Sequence, residues 1–158
     1  MTRILGIDPG FERLGVAIVE RKDRKESVIF SECFKTSAKL EFPEGLKLLG
    51  SEVKRVIKKW KPEVLAIETL FLNTNQKTAM HVAEARGVVM YEAVCAGLKI
   101  FEATPLQIKI AVTGHGRSDK TQIMKILPML VKIEDGKKLD DEMDAIAIAL
   151  TAFAHMRF

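Results

Sequence analysis

Arg3-Ile4-Leu5-Gly6-Ile7-Asp8-Pro9-Gly10 opens the chain with a short apolar run that stops at an acid and a turn. Residues 3–7 read as a strand, and Asp8-Pro9-Gly10 ends it. The same pattern returns at Val64-Leu65-Ala66-Ile67-Glu68, a four-residue apolar strand closed by a carboxylate. If the two are parallel neighbours, their carboxyl ends lie roughly 5 Å apart and both acids reach one point. Between them, residues 14–20 and 27–35 read as strands, and the charged connection 21–26 makes them a hairpin. The period then changes. Leu46, Leu49, Val53, Val56, Ile57 and Trp60 fall at helical spacing, with Lys47, Lys54, Lys58 and Lys61 on the other side.

Residues 74–96 carry a second helix that is apolar on more than one face. Ala79, Ala83, Met90 and Val94 lie on one face, and Val82, Ala85, Val89 and Ala96 on another. A helix buried on two sides needs two partners, its own sheet and a second subunit. Residues 98–101 form a fifth strand. Thr104-Pro105 caps and opens a short helix. Gly114-His115-Gly116 makes a flexible loop, Ser118 or Asp119 caps the next helix, and Pro128 is expected to kink or end it near Leu127. A last helix runs over 140–155. Three strands joined by short turns are antiparallel, and strands reached through helices are parallel to a neighbour. The expectation is an α/β fold with a five-stranded mixed sheet, three antiparallel strands and then two parallel, and helices on both faces.

At 158 residues the chain suits a single domain over 1–158, long enough to bury a core without staples. Its 47% hydrophobic and 29% charged content excludes disorder, collagen and coiled coil. The longest apolar stretch, 145–154, reaches about half the length that spans a bilayer, so no membrane anchor is expected. Asp8 falls where a signal peptide would carry its apolar core. Cys33 and Cys95 show no CxxC spacing and read as buried thiols of a cytoplasmic protein. The net charge of +4 is concentrated. Residues 104–133 hold Lys109, Arg117, Lys120, Lys125 and Lys132 against Asp119 alone, and Asp135, Asp140, Asp141, Glu142 and Asp144 follow directly. A basic segment beside an acidic cluster suits a metal-dependent enzyme acting on phosphates.

Four acids stand at the edges of apolar elements: Asp8, Glu68, and the pair Asp141 and Asp144 on one face of the last helix. Carboxylates gathered from several elements hold Mg²⁺, a hard ion that prefers oxygen donors. Two such ions about 4 Å apart activate a water and stabilise the leaving oxygen of a phosphoryl displacement. Asp140 lies four before Asp144 and shares its face almost as well as Asp141 does, so two registers of the pair stay open. Asp140 is equally suited to cap its helix. His81, His115 and His155 have no metal-ligand spacing, and His115 is placed to touch a nucleic acid at most.

Ile4-Leu5-Gly6-Ile7-Asp8-Pro9-Gly10, Ala66-Ile67-Glu68, Ala85-Arg86-Gly87-Val88 and Asp141-Glu142-Met143-Asp144-Ala145-Ile146-Ala147-Ile148-Ala149, in this order, closely resemble the RuvC-type Holliday junction resolvases. The resemblance runs through essentially the whole chain. It implies an RNase H-like domain with the first and fourth strands side by side. It also implies an endonuclease, dependent on Mg²⁺ or Mn²⁺ with two ions per site, that nicks opposing strands of a four-way DNA junction symmetrically. The products would be 5′-phosphate and 3′-hydroxyl ends. The family's catalytic and metal-holding acids match Asp8, Glu68, Asp141 and Asp144. Its DNA-binding side chains match Lys109, Lys120 and Phe71, and Arg117 is added from the basic segment. The implied partners are a second copy of the chain as a homodimer, and the branch-migration proteins RuvA and RuvB. Two other readings compete: a same-fold nuclease for another branched DNA or structured RNA, and a junction-binding module that does not cut. An acid cluster beside DNA disfavours the second, because a pure binder has no use for it.

Overall fold

Period-two burial along the strands explains why the chain closes into two layers of helix around one sheet. The computed structural model describes residues 1–37, 39–70, 76–133 and 138–156, and the side chains of all of these except 76 and 77. Among them the strands are β1 (Thr2–Asp8), β2 (Arg13–Lys22), β3 (Lys25–Lys35), β4 (Val64–Glu68) and β5 (Lys99–Ala103). The helices are α1 (Phe42–Trp60), α2 (Gln76–Cys95), α3 (Pro105–Thr113), α4 (Lys120–Leu130) and α5 (Asp140–His155). The sheet order is β3-β2-β1-β4-β5. β1 pairs antiparallel with β2, and β2 with β3, while β1–β4 and β4–β5 are parallel. The mixed sheet is the expected one. Asp23 and Arg24, both at positive φ, close the β2–β3 hairpin as its tight turn.

Alternate residues face opposite layers. Leu5, Ile7, Val16, Ile18, Leu65 and Ile67 pack with α1 and α2 through Leu49, Val53, Val56, Ala85 and Val89. Ile4, Ala17, Val19, Val64 and Ala66 pack on the other side, against α5 and its neighbours. That second face is lined by small residues. A Cβ on Gly6 would run into the carbonyl of Ala145 and the side chain of Ala149, and one on Gly15 into the carbonyl of Asp141. Small residues on both sides let α5 lie directly on β1 and β2, closer than branched side chains would permit.

Three expectations change. α4 passes Pro128 and closes at Leu130, where the Val131 amide donates to the Leu127 carbonyl. Pro128 sits in the last turn, so it removes one backbone bond near an end where few remain to be lost. The cysteines are not buried: Cys33 is partly exposed on the edge strand β3, where only the start of α5 reaches it, and Cys95 is exposed at the end of α2; both are free thiols. The two expected apolar faces of α2 are also redrawn: from the first, Ala79 is buried and Met90 packs against the core while Ala83 and Val94 are exposed, and from the second, Ala85 and Val89 are buried while Ala96 is exposed. Ala85, Val89 and Ala93 are buried against the sheet, whereas Met80, Tyr91 and Val94 stand more than half exposed. Among the described residues no helix is long and apolar enough to cross a membrane.

Candidate active site

The carboxyl ends of β1 and β4 lie side by side, with Ile7 paired to Ile67 and the two acids next in line. By the alternation above, Gly6 and Asp8 point to the α5 side of the sheet, as do Ala66 and Glu68. Asp8 is paired across β2 with Gly15, the residue on which the Asp141 backbone rests. The start of α5 is therefore laid over the end of β1, and Asp144 follows one turn along.

Electrostatics report the same convergence. Burial pushes the Asp8 carboxyl up to about 7, with Asp144, Glu68 and Asp141 adding repulsion and Lys120 opposing them. Burial raises Glu68, and Asp144 adds to it. Asp144 is also raised by burial, against the pull of the Lys120 ammonium. Each of these acids resists ionisation because negative neighbours and a scarcity of water surround it. Two cavities meet here and share Glu68 and Pro105. One, of about 230 Å³, includes Asp8, Thr69 and Val82. The other, of about 320 Å³, includes Lys109, Lys120, Ile123 and Asp144.

Cations of the chain hold two of the acids. Arg13 donates to Asp141, as does the Cys33 thiol at 3.5 Å. The Lys120 ammonium lies 3.0 Å from Asp144 and 3.6 Å from Asp140. Asp140 is 75% exposed and borders the cluster, whereas Asp141 and Asp144 are 24% and 32% exposed and face it. Glu142 is turned away: buried, it accepts from the Ser31 hydroxyl at 2.8 Å and from the Leu139 amide at 2.9 Å, capping α5. Among the described residues no three acid, histidine or cysteine side chains form a ready-made metal cage. The donor set nevertheless fits a hard divalent cation. Its oxygens are carboxylate, its members repel one another, and Arg13 and Lys120 already neutralise part of it.

Capped helices bring the lysines to this edge. Thr104 accepts from the Gln107 amide at 3.2 Å and opens α3, which carries Lys109 to the larger cavity. Asp119 accepts from the Gln122 amide at 2.8 Å and opens α4 at Lys120. Arg117 and His115 are exposed in the loop between them. Phe71 lies outside the described residues. Three contributors received no role from the sequence, although one of them, Arg86, stands in a quoted motif. Arg13 is a charged residue opening a strand, Gly15 is needed only because α5 touches it, and Arg86 clamps the end of β4. Arg86 donates to the Glu68 carbonyl at 3.1 Å and pairs with Glu102. Its signal was a lone arginine among the small residues of an apolar helix.

Comparison with known proteins gives concordant results. Residues 4–152 match the family model described as crossover junction endodeoxyribonuclease RuvC. The chain is 41% identical over 147 residues to the crossover junction endodeoxyribonuclease RuvC of Halothermothrix orenii, covering 93% of this chain and 89% of that one. It is 43% identical to that of Alkaliphilus metalliredigens, covering 93% and 90%. A solved structure of T. thermophilus RuvC in complex with Holliday junction substrate superposes with a TM-score of 0.90 at 29% identity, covering 97% and 93% of the two chains. The yeast mitochondrial Holliday junction resolvase Ydc2 shares the fold, with a TM-score of 0.71 at 16% identity.

Proposed function

The chain belongs to the RuvC family of crossover junction endodeoxyribonucleases, with their RNase H-like fold, and from that premise we propose how its residues divide the work. It is a divalent-metal-dependent nuclease that resolves four-way DNA junctions by paired nicks. Asp8, Glu68, Asp141 and Asp144 hold the metal, Mg²⁺ or Mn²⁺ with two ions in each site. The observation that carries this is the gathering of four carboxylates from three elements at one sheet edge, with lysines beside them.

A divalent ion held by these four acids would supply Lewis-acid activation of water and of the scissile phosphate. The protein supplies the rest. Asp8 and Glu68 fix the floor of the site on rigid strands, and Arg86 holds the strand end that carries Glu68. Asp141 and Asp144 close it from α5. Burial and the neighbouring acids hold Asp8 toward its protonated form, and a bound cation would favour its ionised one. Lys120 leaves Asp144 to meet a backbone phosphate, and Lys109 lines the same cavity as a second point charge. Arg117 and Phe71 contact DNA nearby, Phe71 by stacking on a base.

The uncovered apolar face of α2 supports a homodimer. A junction with near two-fold symmetry needs two sites related by a two-fold axis, and an isologous dimer supplies them. RuvA and RuvB are the expected partners on the same DNA. The test is to incubate the protein with a labelled immobile four-way junction, a Y-fork and linear duplex, with and without Mg²⁺ or Mn²⁺. Paired symmetrical nicks confined to the junction are expected. Equal cutting of all three substrates would sink the reading, as would tight binding without any cutting.

A further inference from the structure

On the opposite side of the Asp8 strand from α5, three aromatic rings packed on one another line part of a cavity that no part of the mechanism uses. The Phe42 and His81 rings stack at 4.0 Å, and Phe11 stands edge-on to both, 5.8 Å from Phe42 and 4.9 Å from His81. The cavity is about 180 Å³, and Glu12, Ser37 and Glu41 are among the polar residues that line it. We propose that this cavity holds one unstacked nucleobase of the bound junction, close to the strand being cut. The inference rests on the junction-resolving function.

Position is the first support. Phe11 follows Asp8 by three residues, so the turn that ends the catalytic strand also builds the pocket. Val82, beside His81 on α2, lines the cavity that contains Asp8 and Glu68. β1 and β3 end, and α1 and α2 begin, at this same sheet edge, so the pocket and the acids face the same DNA.

Chemistry is the second. Aromatic faces take bases of any sequence by stacking, and a four-way junction offers bases whose stacking is broken at the crossover. The cavity is smaller than the roughly 300–1,000 Å³ that a drug-sized ligand fills, which suits a single ring system and excludes a whole nucleotide. Among the described residues its lining contains no lysine or arginine. Glu12 and Glu41 would repel a phosphate but accept from an exocyclic amino group, which favours an amino-bearing base. Base rather than backbone is what this rim admits.

The experiment is a coupled substitution. Affinity is measured for immobile junctions carrying one abasic position at a time near the crossover, with the wild type, Phe42→Leu, His81→Ala and Phe42→Tyr. At one position per cut strand the wild type should lose about 5- to 150-fold on base removal, the range expected for one stacked base. In Phe42→Leu and His81→Ala that loss should vanish, because the intact junction is already weakened to the same level. Phe42→Tyr should retain it. Thermal melts identify any variant that fails to fold, and the remaining substitution then decides. Equal abasic penalties in wild type and variants at every position would overturn the pocket while leaving the nuclease reading intact. Additive penalties together with a change in oligomeric mass would assign the cavity to a second copy of the chain and overturn it too. Absence of any preference for junction over duplex would instead remove the function on which it rests.

Discussion

Asp8 carries the largest electrostatic strain in the site, and its consequences can be measured without DNA. Its folded pKa, about 7, lies above the ordinary carboxylate value of 3.8, so the shift acts against the folded state once the group ionises. Stability from this group is complete below pH 3.8 and is lost as pH rises through 7. In metal-free protein, Asp8→Asn should therefore melt higher than wild type at pH 8, by on the order of 2 kcal/mol after solvent screening, and equally at pH 4. Junction cutting should be abolished while junction binding persists, since the lost charge is negative and so is DNA. A wild-type melting temperature at pH 8 in this variant would show that burial and the neighbouring acids do not burden an ionised Asp8. Lys120 tests the opposite sign. Lys120→Ala should lower the slope of log affinity against log salt by about 0.9, the share of one phosphate contact, and should slow cutting. An unchanged slope would leave Lys120 as a partner of Asp144 only.

At the level of elements, the decisive contact is α5 lying on β1 and β2. Gly15 stands opposite Asp8 and under the Asp141 carbonyl, so any side chain there lifts the first turn of α5 away from the strand acids. Gly15→Ala should lower stability by about 1–3 kcal/mol, as overpacking does, and should cost far more in cutting than that loss explains, because the displaced part carries two of the four acids. Full activity at a temperature where the variant is folded would show that the helix start is free to adjust. The register of acids on α5 follows from the same contact. Glu142 is drawn inward as the cap of its own helix and Asp140 outward to solvent, which leaves Asp141 and Asp144 toward the cluster. Spacing alone left both Asp140 and Asp141 open, because positions three and four before Asp144 fall close to it on either side of one helix face.

At the scale of the whole molecule, the chain buries one face of α2 and leaves Met80, Tyr91 and Val94 open. Val94→Asp should convert a dimer to a monomer by light scattering and turn paired nicks into unpaired ones, while the melting temperature of the monomer changes little. A dimeric mass for this variant would place the interface elsewhere. Much of this molecule is written locally. The strand parity, the hairpin, the caps Thr104 and Asp119 and the order of elements depend on periodicity and turn chemistry within about ten residues, and the acids at two strand ends are visible for the same reason. Pro128 and the two cysteines misled because their effect depends on what surrounds them: a proline in a last turn has few bonds to break, and a thiol is buried only where another element covers it. Arg13 and Gly15 matter through partners up to 128 residues away, and no local pattern marks them, while Arg86 stands in a recognisable motif whose contact with the end of β4 no local pattern reveals. Local order along the chain sets which residues form each strand and helix and which chemistry they carry. Only the tertiary structure decided which helix meets which strand face, because that choice is made by close packing of small residues across layers, and contacts between distant segments leave no period in the chain.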